Sequence, residues 1–200
     1  ALRSIVGRQP WPGVARVIAE ANSAVERLHG VQVMDFEEGV RAGLIRFIGE
    51  DTLDRFVAAV KAQAMPVATD APLKVVYTPL NGTGLECVQR ILTEIGVTDV
   101  HVVEEQRLPD GHFPTAPYPN PEIRQAFEKA LELAATEQPD LLLATDPDCD
   151  RVGIAVPDGK GDYVLFSGNE TGCMLLEYIL SCRAARGDMP DQPFVVTTIV

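Results

Sequence analysis

Residues 141–156 read LLLATDPDCDRVGIAV, two apolar runs that enclose an acidic loop. The first run, residues 141–144, is short and continuously apolar, as is typical of a strand buried on both faces of a sheet. The second run, residues 152–156, predicts another strand. A turn rich in Gly and Asp at residues 157–162 leads into the apolar residues 163–166, so the last two strands are expected to form an antiparallel hairpin.

Upstream of this stretch, strand and helix patterns alternate. A β-branched run at residues 73–77 predicts a strand, and apolar residues at helical spacing predict a helix over residues 85–95 that stops at Gly96. Residues 100–103 predict the next strand. Because this alternation favours a layered sheet and helix arrangement, the predicted fold class is α/β, a mixed β-sheet sandwiched by helices, with partial domains on either side.

A second helix of this region is predicted from Asn120 to about Glu137. Asn120 is a residue type suited to an N-cap, Pro121 to the first helical turn, and Glu122 to the positive end of the helix dipole. Asn120 and Glu122 are therefore interpreted as helix-capping residues.

The flanking segments carry weaker patterns. Apolar residues at helical spacing predict a helix over residues 13–29, and residues 44–48 are expected to form a strand or an edge segment. Asp51 is expected to cap the helix that follows. Near the other end, a helix is predicted over about residues 170–183 and a strand over residues 194–199.

The composition is that of a globular chain, with 46% hydrophobic and 23% charged residues. The formal net charge of −12 disfavours nucleic acid and anionic lipid as partners. No stretch approaches the roughly 20 apolar residues that span a bilayer, so no membrane partner is predicted and a cytoplasmic location is expected. The four cysteines include no C-x-x-C pair, which disfavours a zinc site or a disulfide framework.

Asp146, Asp148 and Asp150 follow the predicted buried strand, where loops of α/β sheets commonly bind ligands. Carboxylate oxygens are hard ligands suited to Mg²⁺, and three at alternate positions of a tight turn can converge on one ion. Arg151 adds a planar guanidinium that can bind a phosphate through two hydrogen bonds. A cation beside an arginine indicates phosphoryl chemistry, with Mg²⁺ as the expected cofactor.

Two other interpretations of this loop stay open at the level of the residues. Asp and Pro are ordinary turn residues, so the loop would also suit a solvated turn in a non-enzymatic α/β interaction domain. A haloacid-dehalogenase-like phosphatase also places its aspartate nucleophile in a D-x-D loop after a buried strand. Such enzymes generally continue with Gly, Thr or similar residues and use a later lysine, whereas Cys149, Asp150 and Arg151 follow here.

Several segments resemble motifs of the α-D-phosphohexomutases, the phosphoglucomutase/phosphomannomutase family. The loop DPDCDR at residues 146–151 resembles the D-P-D-x-D-R magnesium loop of that family. The other matching segments are TPLNGTG at residues 78–84, with Asn81 where histidine is common, GHFP at 111–114, PNPE at 119–122 and SGNE at 167–170. A lone D-x-D arises easily by chance, but this ordered series does not.

The resemblance implies that Asp146, Asp148 and Asp150 hold Mg²⁺ and that Arg151 contacts a phosphoserine. It also implies that the full-length enzyme acts on a sugar phosphate, moving phosphate between the 1- and 6-hydroxyls of a hexose through a bisphosphate intermediate. The family's catalytic serine lies in a T-x-S-H-N-P-like loop, a context that none of the serines of this chain matches. We therefore expect the chain to be an interior part of such an enzyme and inactive alone.

By the same resemblance, residues 1–49 correspond to the end of mutase domain one, residues 50–166 to domain two with the metal loop, and residues 167–200 to the start of domain three. Neither the preferred hexose nor an oligomeric state follows from the sequence.

For three further residues, Asn81, His112 and Cys149, no catalytic role is predicted. Asn81 and its neighbouring glycines are expected to form a structural turn, with anion binding as the alternative. His112 is expected to be a surface or packing residue, with a ligand contact as the alternative. Cys149, although inside the acidic loop, occupies a non-ligand position of the family motif and is expected to have no catalytic role.

Overall fold

The structure, a computed structural model, describes residues 12–24, 33–65 and 71–196. The chain divides into two compact units, Ala1–Ile48 and Gly49–Val200. All strands of the described residues lie in the second unit, which also carries the acidic loop.

The described residues of the first unit, 12–24 and 33–48, form two helices. The first helix, α1, spans Pro12–Ala24 and confirms most of the helix predicted there, while the predicted residues 25–29 lie outside the described residues. The second helix, α2, spans Phe36–Arg41. The side chain of Asp35 caps it by accepting the backbone N–H of Glu38 at 3.0 Å.

The strand predicted at residues 44–48 is wrong, because this segment is irregular. The backbone N–H groups of Leu44 and Ile45 both donate to the carbonyl oxygen of Gly39, at 3.0 and 3.1 Å. These donors therefore close the end of α2 and are not available to a neighbouring strand.

The second unit is built on one mixed sheet. Its strands are β1 (Lys74–Thr78), β2 (Asp99–Val102), β3 (Leu141–Thr145), β4 (Val152–Pro157) and β5 (Tyr163–Phe166). Their spatial order is β2-β1-β3-β4-β5. β1 is parallel to β2 and β3, whereas β4 is antiparallel to β3 and β5. The predicted α/β class, the mixed sheet and the β4–β5 hairpin are confirmed.

The main core lies between this sheet and helix α5, which spans Glu128–Glu137. Within the sheet, Leu142 pairs with Val76 on one side and with Ala155 on the other, so their side chains share one face. The fully buried apolar residues of the core are Val76, Leu80, Val103, Ala116, Ala126, Phe127, Ala130, Ala134, Leu142, Ala144 and Ala155. Burying a side chain of the size of Leu142 contributes about 1.5–3 kcal/mol.

Two further helices, α3 (Glu50–Lys61) and α4 (Leu85–Glu94), pack against each other. The side chain of Val57 in α3 is fully buried, and Arg90 of α4 forms an ion pair with Asp54 of α3. Both helices were predicted from their apolar spacing.

The predicted role of Asp51 as the cap of α3 is wrong. Gly49 occupies the N-cap position and provides no side-chain hydrogen bond, because the helix begins at Glu50. Asp51 instead lies in the first turn, where its carboxylate forms an ion pair with Arg55 at 3.0 Å. A negative charge in the first turn still suits the helix dipole.

The first part of the helix predicted from Asn120 is also wrong. A 3₁₀ helix spans Arg124–Phe127, and α5 begins only after it. Asn120 closes a turn, because its Oδ1 accepts the backbone N–H of Glu122 at 3.0 Å. Arg124 donates to the carbonyl oxygen of Tyr163 at 2.9 Å, which ties this segment to β5. Asn120 and Glu122 therefore do not cap a helix.

The last helix, α6, spans Gly168–Arg186. Ser167 and Glu170 form a capping box at its start, and Gly187 ends it in the left-handed conformation. Residues 194–196 are irregular, so the strand predicted over residues 194–199 is wrong there, and the rest of it lies outside the described residues. Neither α6 nor any other helix of the described ranges is long and apolar enough to cross a membrane.

Candidate metal centre

The candidate site lies at the edge of the sheet where the parallel strands β1 and β3 end. The chain leaves β1 toward β2 on one side and leaves β3 toward β4 on the other, and the loops that follow β1 and β3, residues 79–84 and 146–151, lie at this edge. Open α/β sheets bind ligands at such switch points. The two loops touch, because the backbone N–H of Thr83 donates to the carbonyl oxygen of Pro147 at 2.9 Å.

Asp146 is the buried member of the acidic loop, with 2% of its side chain exposed. Its Oδ1 accepts the backbone N–H groups of Asp150 at 3.1 Å and Arg151 at 2.9 Å. Cys149 has a φ of 59°, a left-handed conformation that folds the chain back toward Asp146. Cys149 thus has a conformational role in the loop.

Asp148 and Asp150 are exposed, and together with Asp146 they offer carboxylate oxygens that all lie within 4.8 Å of one another. Mg²⁺ binds oxygens at about 2.1 Å in octahedral geometry, so two oxygens on one ion are at most about 4.2 Å apart. The three carboxylates therefore fit Mg²⁺ after a small movement of the exposed side chains. Nowhere else in the described part of the chain does a group of three acidic, histidine or cysteine side chains converge in this way.

Within the triad of Asp146, Asp148 and Asp150, neighbouring charges and hydrogen bonds shift the pKa values of Asp146 and Asp150 in opposite directions. The negative charges of Asp148 and Asp146 raise the pKa of Asp150. Burial raises the pKa of Asp146, but hydrogen bonds donated by Arg151 outweigh burial and hold this pKa below its ordinary value. Asp146 is therefore ionised at neutral pH, and a cation would relieve the repulsion that acts on Asp150.

Arg151 lies beside the triad, immediately before β4. Its Nε–H donates to Oδ2 of Asp146 at 2.8 Å, and an Nη1–H donates to Oδ1 of Asn120 at 3.2 Å. The hydrogen bond to Asp146 is the main cause that raises the pKa of Arg151. Within the described residues, Nη2 has no hydrogen-bond partner, so it is available to an anion.

An open cleft of about 570 Å³ extends from Arg151 and the buried aspartate. It is lined by Tyr118, Pro119, Asn120, Ile123, Asp146, Pro147, Asp148 and Arg151. One wall is thus the acidic loop, and the other belongs to residues 118–123. A volume of this order is typical of small-molecule sites.

The loop after β1, residues 79–84, packs directly against the acidic loop. A Cβ atom added to Gly82 would lie 2.4 Å from Cα of Pro147, a distance that non-bonded carbon atoms do not reach. Only glycine permits this approach of the two backbones. Gly82 of the TPLNGTG segment therefore has a packing function.

Asn81 forms a structural turn, in agreement with the sequence analysis. Its side chain is 6% exposed, and its backbone has a φ of 55°. Its Nδ2 donates to the carbonyl oxygens of Glu105 at 3.3 Å and Leu108 at 3.0 Å. The amide donors are thus used within the fold, which disfavours the anion-binding alternative.

Neither of the two histidines among the described residues, His101 and His112, belongs to the converging group of Asp146, Asp148 and Asp150. His101 contacts Asp99 at 2.9 Å and Glu137 at 3.4 Å. His112 is exposed, as expected, and its backbone N–H is bonded to the side chain of Asp110. Sequence reasoning missed the contact of Asn120 with Arg151, although the PNPE segment that contains this asparagine was identified.

A family model described as phosphoglucomutase/phosphomannomutase, alpha/beta/alpha domain II, matches residues 54–159. The match runs from within α3 to the end of β4 and includes both loops at the candidate site.

Curated proteins named as mutases also resemble the chain. A probable phosphomannomutase of Haemophilus influenzae is 35% identical over 132 residues, which are 66% of this chain and 27% of that protein. A phosphoglucomutase of Staphylococcus saprophyticus is 34% identical over 172 residues, which are 86% of this chain and 31% of that protein. The chain thus spans less than a third of the length of these relatives.

A solved structure has a similar fold. It is the crystal structure of a phosphoglucomutase/phosphomannomutase family protein from Burkholderia thailandensis, with a TM-score of 0.52 and 22% sequence identity. The similarity covers 65% of this chain and 26% of that chain. At this identity the likeness concerns the fold alone.

Proposed function

Because the chain belongs to the phosphoglucomutase/phosphomannomutase family, we propose that residues 146–151 bind Mg²⁺ beside a phosphate group. The observation that carries the proposal is the convergence of three carboxylates within 4.8 Å at the end of β3, with the guanidinium of Arg151 next to them. The whole protein is proposed to interconvert hexose 1-phosphate and hexose 6-phosphate through a phosphoserine and a bisphosphate intermediate.

Each residue of the loop has a separate role in this proposal. Asp148 and Asp150, which are exposed, would hold the ion together with the buried Asp146, which also orients Arg151. A bound Mg²⁺ supplies positive charge that offsets the charge of a transferring phosphoryl group. Arg151 offers the N–H groups of Nη2 to a phosphate oxygen.

The chain alone is proposed to have no mutase turnover. Among the described serines, Ser23 donates to a carbonyl of its own helix, Ser181 contacts Glu177, and Ser167 caps α6. None of these hydroxyls lies in the context of a phosphoryl donor. Residues 1–49, 50–166 and 167–200 remain proposed as parts of mutase domains one, two and three.

A dehalogenase-like phosphatase would use Asp146 as its nucleophile. Oδ1 of Asp146 already accepts two backbone N–H groups, and Oδ2 accepts Nε–H of Arg151, so one lone pair of Oδ2 remains. That lone pair suits one bond to a cation, and the match of residues 54–159 to a mutase domain favours this role over a nucleophilic attack.

Titration with Mg²⁺ tests the metal site directly. We expect weak, millimolar-range binding, seen by calorimetry and by shifts of the amide resonances of residues 146–151, since Mg²⁺ gives up its waters reluctantly. Asp148→Asn removes one ligand charge at an exposed position and should weaken binding, whereas Asp191→Asn makes the same change at an exposed position outside the loop and should not. Identical responses of the wild-type chain and Asp148→Asn would contradict the proposal.

A coupled assay with glucose 1-phosphate, a hexose bisphosphate and Mg²⁺ tests the statement about turnover. We expect none from the purified chain, and robust turnover would refute that part of the proposal. Release of inorganic phosphate from p-nitrophenyl phosphate, lost on Asp146→Asn, would identify a phosphatase instead.

A further inference from the structure

The guanidinium of Arg151 is held at two points that belong to different loops. Nε–H donates to Asp146 of the acidic loop at 2.8 Å, and Nη1–H donates to Oδ1 of Asn120 at 3.2 Å. Two contacts on different nitrogens fix the plane of a guanidinium, because rotation about either hydrogen bond breaks the other. These contacts also fix the orientation of the remaining edge of the guanidinium, which includes Nη2.

Asn120 is itself held in place. Its Oδ1 accepts the backbone N–H of Glu122 at 3.0 Å, so both lone pairs of this oxygen are used when Arg151 is counted. The backbone N–H of Ile123 donates to the carbonyl oxygen of Asn120 at 3.2 Å. These hydrogen bonds shape residues 120–123 as a compact turn.

The turn of residues 120–123 rests on the strand that follows Arg151. A Cβ atom added to Gly153 in β4 would lie 2.0 Å from the carbonyl oxygen of Pro121, so this turn sits directly on the backbone of β4. Gly153 follows Arg151 by two residues. The strand therefore fixes the distance between Asn120 and Arg151, and only glycine at position 153 allows that distance.

The chemistry of Asn120 also suits anion binding by Arg151. Carboxylates of Asp146, Asp150 and Glu122 already act on the charge of this guanidinium. A neutral amide oxygen adds a hydrogen bond without adding a negative charge. The guanidinium is thus oriented while its positive charge stays available to a phosphate.

We propose that Asn120 is a positioning residue that directs the free edge of Arg151 into the cleft, where it meets a phosphate monoester. This inference rests on the proposed function of residues 146–151. The ligand class follows from the guanidinium edge, which matches two phosphate oxygens, and from the adjacent cation site.

The test uses the whole chain and two measurements. The first is ¹⁵N relaxation of the Nε–H group of Arg151 without ligand, which reports how rigidly the guanidinium is held. The second is the affinity for O-phospho-L-serine at saturating Mg²⁺. Asn120→Ala should lower the Nε–H order parameter and weaken the affinity about three- to tenfold, the range expected for one hydrogen bond.

Three further variants separate positioning from a general effect on the fold. Asn120→Asp keeps the acceptor and should keep the Nε–H order that Asn120→Ala loses. Gly153→Ala should displace the turn and reproduce the loss with Asn120 intact, whereas Asn22→Ala on the exposed surface of α1 should match the wild-type chain.

Two results would overturn the inference while the proposed function stands. One is an Asn120→Ala chain with wild-type order and affinity, and the other is an Asn120→Asp chain as disordered as Asn120→Ala. If the wild-type chain binds Mg²⁺ but no O-phospho-L-serine, the phosphate part of the proposed function fails, and the positioning role fails with it.

Discussion

Asp146, Asp148 and Asp150 are equally spaced in the sequence but differ in their surroundings. Asp146 is buried and accepts three hydrogen bonds from its own loop, whereas Asp148 and Asp150 are exposed. If a buried acceptor is removed, its donors stay buried without a partner, and the cost of their desolvation destabilises the fold. The exposed carboxylates have no such structural function and mainly repel one another.

This difference predicts opposite effects on stability without metal. Asp146→Asn replaces one carboxylate oxygen by an NH₂ group, which cannot accept the N–H groups that Asp150 and Arg151 now donate to Asp146. The substitution should therefore lower the free energy of unfolding by about 1–3 kcal/mol. Asp148→Asn should leave it unchanged or raise it slightly, because it removes repulsion with Asp150. Urea unfolding of both variants in the presence of a chelator measures this. Equal losses in the two variants would show that burial does not separate their roles.

At the scale of elements, the acidic loop depends on the loop after β1. Gly82→Ala would place a Cβ 2.4 Å from Cα of Pro147, so the two loops must move apart. We expect a loss of about 1–3 kcal/mol in the free energy of unfolding, as for other overpacked sites, together with weaker Mg²⁺ binding.

Gly111→Ala is the matched control for Gly82→Ala, because a Cβ at Gly111 meets no atom within 4 Å. Thermal unfolding and Mg²⁺ titration of both variants compare the two positions. If Gly82→Ala binds Mg²⁺ as tightly as the control, the loop after β1 does not support the metal site.

Another element contact joins the start of β1 to the end of α5. Nζ of Lys74 lies 2.7 Å from Oε2 of Glu137, and this hydrogen bond lowers the pKa of Glu137 more than burial raises it. His101, Asp99 and Asp140 also face this pair and act on its charges.

The pair predicts a pH dependence of stability. Because folding lowers the pKa of Glu137, its contribution is fully present above the ordinary carboxyl pKa of about 4.3 and is lost as the pH falls through the lower folded value. Glu137→Gln should therefore be less stable than the wild-type chain at about pH 7 and approach it in stability near pH 3.

The control for Glu137→Gln is Glu132→Gln, whose partner Lys129 lies in the same helix. Its effect should be smaller, since Glu132 is more exposed than Glu137. Urea midpoints across this pH range provide the comparison. A difference between Glu137→Gln and the wild-type chain that does not shrink on acidification would argue against the ion pair.

At the scale of the whole molecule, the main core belongs entirely to the unit Gly49–Val200. A chain of about 150 residues buries roughly 70% of the surface that it exposes when unfolded, which is enough for independent stability. The three aspartates of the acidic loop and the cleft belong to the same unit.

We therefore predict that residues 49–200 fold when expressed alone and keep the Mg²⁺ response of the whole chain. A shorter chain, residues 49–150, lacks β4 and β5 and should not fold, because β3 then loses its antiparallel neighbour. Circular dichroism and the dispersion of amide resonances distinguish the two. An unfolded 49–200 chain would show that the first unit is required for folding.

The sequence by itself determined the five strands of the sheet, the class of the fold and the position of the acidic loop, but it also predicted strands at residues 44–48 and 194–199, where the described residues are irregular. Every strand of the sheet lies within one residue of its prediction, because continuous apolar runs such as residues 141–144 are local signals. Asp146, Asp148 and Asp150 were identified from spacing and residue type, which are also local properties. The helix starts at Asn120 and Asp51 were wrong, since a capping residue type does not reveal competing partners.

Only the tertiary structure decided which of the candidate site residues are buried and which of them contact one another. Asp146 is buried because the left-handed Cys149 folds two backbone amides onto it, and this conformation is not encoded by the spacing of the aspartates. Asn120 reaches Arg151 across 31 residues because the turn that carries it rests on Gly153. Such contacts depend on how strands and loops pack, so no local pattern of the sequence predicts them.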